Sequence, residues 1–291
     1  MRYLTTLLLP CFFLLIQATL SGQEPADTVN WRIELKDGTE FVGQILHEDA
    51  TTIEFKTLSL GVINIPRAEV ARMTRLAGAR VVEGALWLDN LQATRYLWAP
   101  NGYGLRKGEG YYQNVWVLFN QVSYGITDNF SLGLGMLPLF LFGGDAPIPI
   151  WITPKFSIPV SPGEFSLGGG ALLGVILNET DASFGIAYGV TTFGDRDKNL
   201  TLGLGYGFAG GDWAERPTLN LSAMIRYSPR AYFITENYYL GSIGLLSLGG
   251  RTVWPKLSLD YGLVIPIGED LGLVGIPWLG LSLPIQGSSS Q

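Results

Sequence analysis

The stretch NLTLGLGYGFAGG (199–211) alternates large apolar residues, Leu200, Leu202, Leu204, Tyr206 and Phe208, with Thr201, Gly203, Gly205 and Gly207. A period of two predicts a β-strand with one residue parity on each face. A half-buried strand of a soluble sheet normally sets water-seeking side chains opposite its apolar face. Here the second face has almost no side chain. The same division recurs. PTLNLSAMIRYS sets Leu219, Leu221, Ala223, Ile225 and Tyr227 against Thr218, Asn220, Ser222, Met224 and Arg226. KLSLDYGLV sets Leu257, Leu259, Tyr261 and Leu263 against Lys256, Ser258, Asp260 and Gly262. SLGLGM opposes Leu132, Leu134 and Met136 to Ser131, Gly133 and Gly135, and ITPKFSI opposes Ile152, Phe156 and Ile158 to Thr153, Lys155 and Ser157.

From Ala93 onward this texture predicts strands at 93–99, 111–125, 129–138, 148–159, 164–177, 183–193, 199–209, 217–227, 231–239, 242–252, 256–265 and 271–285. That makes twelve, with ten or eight as alternatives at the ambiguous boundaries. Short turns, TDN (127–129), SPG (161–163) and SPR (228–230), alternate with longer links, FGGDAP (142–147), NETDA (178–182) and AGGDWAERP (209–217). Membrane barrels have this asymmetry, with short periplasmic turns and longer external loops. Trp98, Tyr111, Tyr112, Trp151, Phe193, Trp213, Tyr238, Tyr239, Trp254 and Trp278 fall near predicted strand ends, where aromatic girdles sit at a membrane interface. In a large soluble β-sandwich the same aromatics would be core residues.

Residues 29–75 read differently, with ordinary charge density and five short runs near 31–35, 40–47, 52–56, 62–65 and 71–75, separated by KDG, HEDA and LSLG. The pattern LKDGTEFVGQI…IEFKT…GVINIPRAEVARM resembles the Sm-like family, which implies a small SH3- or Sm-like β-barrel. Cytoplasmic Sm proteins bind RNA. An exported copy without a basic patch is expected to act as a protein-contact module instead. Residues 76–92 show no clear alternation and are expected to form a linker with a short helix.

The chain opens MRYLTTLLLPCFFLLIQATLSGQ: Arg2, an apolar run from Leu7 to Ile16, then small polar residues, the order of a secretory signal peptide over 1–22. A lipoprotein signal on Cys11 is the alternative, with Pro10 standing where a small residue is expected. Cleavage would remove Arg2 and the single cysteine, leaving 18 basic and 25 acidic residues and no thiol chemistry in the mature chain. Mild acidity and export argue against a nucleic-acid partner. With 38 glycines, 15% charged residues and no later apolar run long enough for a membrane helix, the β-barrel is the membrane class that remains.

TRYLWAPNGYGLRKGEGYYQNVWVLFNQVSYGITDNFSLGLG, with ITPKFSIPV, FGIAYGVTTFGDRDKNLTLGLGYGF and ITENYY, resembles a group of uncharacterised, predicted outer-membrane β-barrel proteins of Bacteroidetes over residues 93–240. The resemblance implies fold and location, and carries no activity. The chain runs on as LPIQGSSSQ after its last predicted strand, where such barrels commonly end in an aromatic.

Little in the chain suggests catalysis. The one histidine, His47, stands before a turn in the small module, so a Ser-His hydrolase has no base in the barrel and a His- or Cys-based zinc site is not expected. GDRDKN and GGDAP lack the oxygen-ligand spacing of a calcium loop, and GLGYG and SLGGGALLG sit inside strands with no following helix to bind phosphate. The residues of interest are polar ones at strand-interior positions: Asn120, Lys155, Asn220, Arg226, Glu236 and Asp260. A charge facing lipid at mid-depth costs about 2 to 4 kcal/mol for Lys or Arg, so these point inward if the barrel is right. They form either an internal ion network filling a closed barrel, or a polar conduit or ligand site. Gly203, Gly205 and Gly207 are expected to leave room for opposing side chains, Arg226 among them.

The sequence thus predicts an all-β protein: a transmembrane antiparallel barrel over 93–286 with a short tail at 287–291, preceded by the 29–75 module in the periplasm. Its role is structural or pore-type rather than enzymatic, with no cofactor and no metal. The expected partners are outer-membrane lipid, the barrel assembly machinery and a periplasmic protein bound through 29–75. The alternative is a secreted or periplasmic soluble β-protein acting as a binding module.

Overall fold

The computed structural model describes residues 30–57, 60–76, 79–82, 85–90, 92–139, 143, 146–179, 182–268 and 274–286. The signal segment and the tail lie outside them. Five strands, β1 (Asn30–Leu35), β2 (Glu40–Glu48), β3 (Thr52–Thr57), β4 (Val62–Pro66) and β5 (Val70–Leu76), form an antiparallel sheet in the order β4-β3-β2-β1-β5. They match the five expected runs to within about a residue at most ends, because the turns between them are locally encoded. Asp49 Oδ1 accepts the amide N–H of Thr51 (2.7 Å) and of Thr52 (2.8 Å), which closes the β2–β3 turn and holds the carboxyl below its ordinary pKa. Inward parity supplies the core of this sheet, Ile33, Ile53, Phe55 and Ile65. His47 is exposed at the end of β2, beside a β-bulge.

The expected linker holds a second, two-stranded ladder instead of a helix, β6 (Ala79–Val82) paired with β7 (Ala85–Leu88). Val81-Val82 and Leu86-Trp87-Leu88 are strand formers on either side of a two-residue connection, and that preference prevails.

Twelve antiparallel strands then close a barrel: β8 (Glu109–Val115), β9 (Phe119–Gly125), β10 (Phe130–Met136), β11 (Ile148–Ser161), β12 (Phe165–Leu177), β13 (Ser183–Gly194), β14 (Lys198–Ala209), β16 (Thr218–Arg226), β17 (Ala231–Tyr239), β18 (Gly244–Val253), β19 (Ser258–Ile267) and β20 (Ile276–Gln286). A two-residue strand, β15 (Asp212–Trp213), folds back on the end of β14. Closure comes from β20 pairing with β8, Gly280 opposite Val115 through Gln286 opposite Glu109. The total of twelve agrees with the sequence expectation through two offsetting differences. The expected strand 93–99 is not in the wall, and the expected strand 111–125 is a hairpin, β8 and β9. That hairpin turns at Trp116 (φ 50°) and Val117 (φ 67°), both in the left-handed region. Neither residue signals such a turn, since bulky and β-branched side chains disfavour positive φ.

Alternation sorts the wall as expected. Leu134, Phe156, Ile158, Leu202, Leu204, Leu219, Phe233, Leu263 and Leu279 are exposed on the outside. Of the charged residues in the described barrel strands, only Lys198, at the start of β14, and Asp212, in β15, point outward. The inner face carries mostly Gly, Ser and Thr with a few buried polar groups. The aromatics divide. Phe193, Trp213, Tyr239 and Trp254 are outside near strand ends, as a girdle requires, whereas Tyr112 is outside at the middle of β8. Trp98, Tyr111, Trp151, Tyr238 and Trp278 are inside, a correction that follows from their residue parity and, for Trp98, from its place off the wall. The turns at 126–129, 162–164, 195–197, 227–230 and 254–257 gather at one end with the start of β8, and the longer links lie at the other together with the short turns at 116–118 and 240–243.

Candidate functional site: a lumen closed by its own chain

Residues 89–108 leave the β6–β7 ladder, enter the barrel at the short-turn end, rise to Trp98 and return to begin β8. This strap is a narrow hairpin: Tyr96 donates its amide to Ala99 O (2.9 Å), Asn101 donates its amide to Thr94 O (3.2 Å), and Arg95 bridges to Pro100. Pro100, Asn101-Gly102 and Gly104 suit a hairpin and not a wall strand, because proline removes a ladder donor and glycine weakens a strand. Ala93, Tyr96, Leu97 and Ala99 pack with Val115, Met224, Tyr232, Ile234, Val253 and Trp278 of the inner wall. At Trp98 the ring meets Phe119 and Trp278 edge-on, with centroids at 5.7 and 6.4 Å.

An inserted hairpin brings backbone polar groups into a dry interior, where each needs a partner. The wall supplies them. Glu236 Oε2 accepts the amides of Trp98 (2.8 Å) and Ala99 (2.9 Å), and Oε1 accepts the Tyr238 hydroxyl (2.9 Å). Lys155 Nζ donates to Thr94 O (2.9 Å) and Tyr103 O (2.5 Å). Arg251 Nη1 donates to Gln92 O (2.7 Å) and Nη2 to Tyr96 O (2.6 Å). Asp260 binds Arg251 from below (Nε to Oδ1, 2.5 Å) and Arg95 of the strap (Nη1 to Oδ2, 2.9 Å), and Arg95 also donates to Tyr96 O, Leu97 O and Ser282 Oγ. The Tyr96 hydroxyl lies 2.7 Å from Asn199 Oδ1 and 2.6 Å from Thr201 Oγ1. Where the strap descends, Gly102 donates to Thr192 Oγ1 (2.7 Å), and a Cβ built on Gly102 would come within 2.6 Å of Ser166 O. Glycine is required there because two main chains nearly touch.

Five of the six sequence-chosen residues are therefore inside. Lys155, Glu236 and Asp260 hold the strap. Arg226 works at its entrance: the guanidinium donates to Leu88 O (2.9 Å), pairs with Asp197 (3.2 Å) and lies 4.5 Å from the centroid of the Trp87 ring. It does not fill the space beside Gly203 to Gly207. Asn220 faces the lumen and accepts the Ser222 hydroxyl (3.0 Å). Asn120 does not face the lumen. It lies outside with Tyr112 and Asn114, accepting from Asn114 Nδ2 (2.8 Å) and donating to Leu118 O (2.7 Å). The unrecognised turn at Trp116–Leu118 separates it from the wall alternation, and the inward residues of β9 are Phe119, Gln121 and Ser123.

No family model matches this sequence, and no curated protein matches it either.

Sequence reasoning missed Arg95 and Arg251. Arg95 was absorbed into an expected strand, and Arg251 follows Gly249-Gly250 in a stretch with no clean alternation. The available signal was the wall itself: so many small inward residues leave a volume that wall side chains cannot fill.

The strap does not occupy the whole lumen. Between it and strands β8–β14 and β16 lies a cavity of about 170 Å³, with Trp98, Tyr111, Gln113, Thr153, Lys155 and Tyr188 among its lining. Gly203, Gly205 and Asn220 form part of the same surface. Thr218 and Tyr238, next to the long links, line it as well, so the cavity extends toward that end. Among the described residues no group of three or more His, Cys, Asp or Glu is placed to hold a metal ion.

Proposed function

We propose that this protein is an integral outer-membrane β-barrel held shut by its own strap, with the five-stranded sheet on the periplasmic side as a protein-contact module. The observation that carries this reading is the segregation of the wall. Its outer face is apolar apart from end positions and the hydrogen-bonded Thr235 and Asn237 of β17, while Lys155, Arg226, Glu236, Arg251 and Asp260 are all inside. In water that outer surface would be an exposed apolar patch far larger than soluble monomers carry. In lipid it needs no cover. Nine of the twelve strands have nine residues or more, β16 and β17 being the shortest of these and β11 the longest at 14, against the roughly 9–11 a tilted membrane strand requires. The five-stranded sheet emerges at the short-turn end, the periplasmic end by the loop convention.

The role is structural or gated, since an anchored hairpin fills the lumen on the side of β17–β20. The test is extraction and migration of the membrane fraction. Retention through a carbonate wash, with faster migration of the unheated sample on a gel, is the expected result. Release by carbonate would overturn the membrane reading and return the protein to the soluble class.

A further inference from the structure

The cavity between the strap and β8–β16 has an unusual balance of polar groups. Its two cations are Arg95, neutralised by Asp260, and Lys155, which is bonded to two carbonyl oxygens and, among the described residues, to no carboxylate. Among the described residues no Asp or Glu lines the cavity. Gln113, itself 4% exposed, has its Nε2 without an acceptor. Ser131, Thr153, Thr218 and Tyr188 add hydroxyls that make no hydrogen bond among the described residues. Around these stand the faces of Trp98 and Tyr111. Glu236, a carboxylate inside the barrel, is committed to Trp98, Ala99 and Tyr238. A buried ammonium without a counter-ion and an amide donor without an acceptor are both costly. An anion that carries further acceptor oxygens along its length would relieve the first at its charged end and the second at a hydroxyl.

We propose that this cavity binds a small organic monocarboxylate no larger than a single sugar acid. The carboxylate takes the remaining Lys155 proton, and an oxygen elsewhere on the ligand accepts the Gln113 amide, which lies three strands away on β8. The ligand's hydroxyls meet Tyr188, Thr153 and Ser131. The space, about 170 Å³, is room for several ordered waters or one small organic molecule. The strap closes the short-turn end, so the ligand enters past Thr218 and Tyr238 from the end with the long links. This inference rests on the lumen alone and stands whether or not the barrel is in a membrane.

The experiment is equilibrium dialysis of the full-length protein, purified in a zwitterionic detergent without a sugar headgroup, against D-glucuronate and against D-glucose, its neutral counterpart of similar size. Saturable binding of glucuronate is expected, with glucose at least about tenfold weaker. Gln113→Leu and Tyr188→Phe should each raise the glucuronate Kd about fivefold, the effect of one lost neutral hydrogen bond, while heat-modifiable migration stays unchanged. Lys155→Met should abolish binding. Since it also loosens the strap, the two milder variants carry the test. Glucose binding as tightly as glucuronate would overturn the anion specificity. Absence of saturable binding would mean the cavity holds water only, and binding unaffected by Gln113→Leu and Tyr188→Phe would place it elsewhere on the molecule.

Discussion

Asp260 is the residue on which the interior charge turns. It lies between Arg251 of the wall and Arg95 of the strap, and both guanidiniums donate further to strap carbonyls, Arg95 also to Ser282, with Arg95 Nε left without an acceptor. Asp260→Ala leaves two buried cations with no anion, and the expected cost is about 3–5 kcal/mol in urea unfolding from detergent micelles. Asn220→Ala removes only neutral hydrogen bonds and should cost about 1 kcal/mol. Equal losses from the two would show that the ion triad is not what anchors the strap. The small inward residues give a second contrast on one strand. A Cβ on Gly205 would lie 2.8 Å from Ile186 Cδ1, and one on Gly203 would lie 3.2 Å from both Asn220 Cβ and Val190 Cγ1. Gly205→Leu is therefore overpacked and should destabilise by roughly 1–3 kcal/mol, whereas Leu202→Val, half-exposed on the outer face, should stay within about 0.5 kcal/mol in the same assay.

At the scale of elements, strands were legible and the strap was not. Alternation is a local property, so β10, β14, β16 and β19 could be read from their own residues, with Lys155, Arg226 and Asp260 assigned to the correct face. The strap has no such code. TRYLWAP offers aromatics and a β-branched residue that suit a strand. What removes it from the wall is non-local: Glu236, Lys155 and Arg251, between 60 and 160 positions further on, supply hydrogen bonds to its backbone. The hairpin at Trp116–Leu118 escaped for a related reason, since Trp116 Nε1 is held by Pro277 O of β20 (2.7 Å), a contact no local pattern announces. The two-faced logic still located the problem, because glycines facing inward imply that something else fills the space. If the strap is that filler, replacing 92–105 by a Gly/Ser linker of equal length should raise single-channel conductance in planar bilayers from near zero to a steady open level. Asp260→Ala should give intermittent openings. A silent trace from the linker variant would mean that wall side chains close the lumen unaided.

For the whole molecule the decisive property is its polarity along the barrel axis. Five short turns and the entry of the strap share one end, where Arg32 of the five-stranded sheet lies beside the 254–257 turn, while the links after β10, β14 and β19 share the other with the turns at 116–118 and 240–243. The cavity also reaches toward that second end. In the proposed orientation the sheet faces the periplasm, the cavity faces outward, and the strap stands between them. A partner that pulls on residues 30–76 would then act on Trp87 and Leu88, the residues Arg226 holds at the strap's entrance. The expected signal cleavage leaves a chain without cysteine, so single cysteines report orientation against a blank background. Asp212→Cys, in β15 among the long links, should react with a membrane-impermeant maleimide on intact cells. Asp37→Cys, in the exposed β1–β2 turn, should react only after the outer membrane is permeabilised. Labelling in the reverse order would put the cavity on the periplasmic side, and the strap would then guard the lumen against the outside instead of closing its inner end.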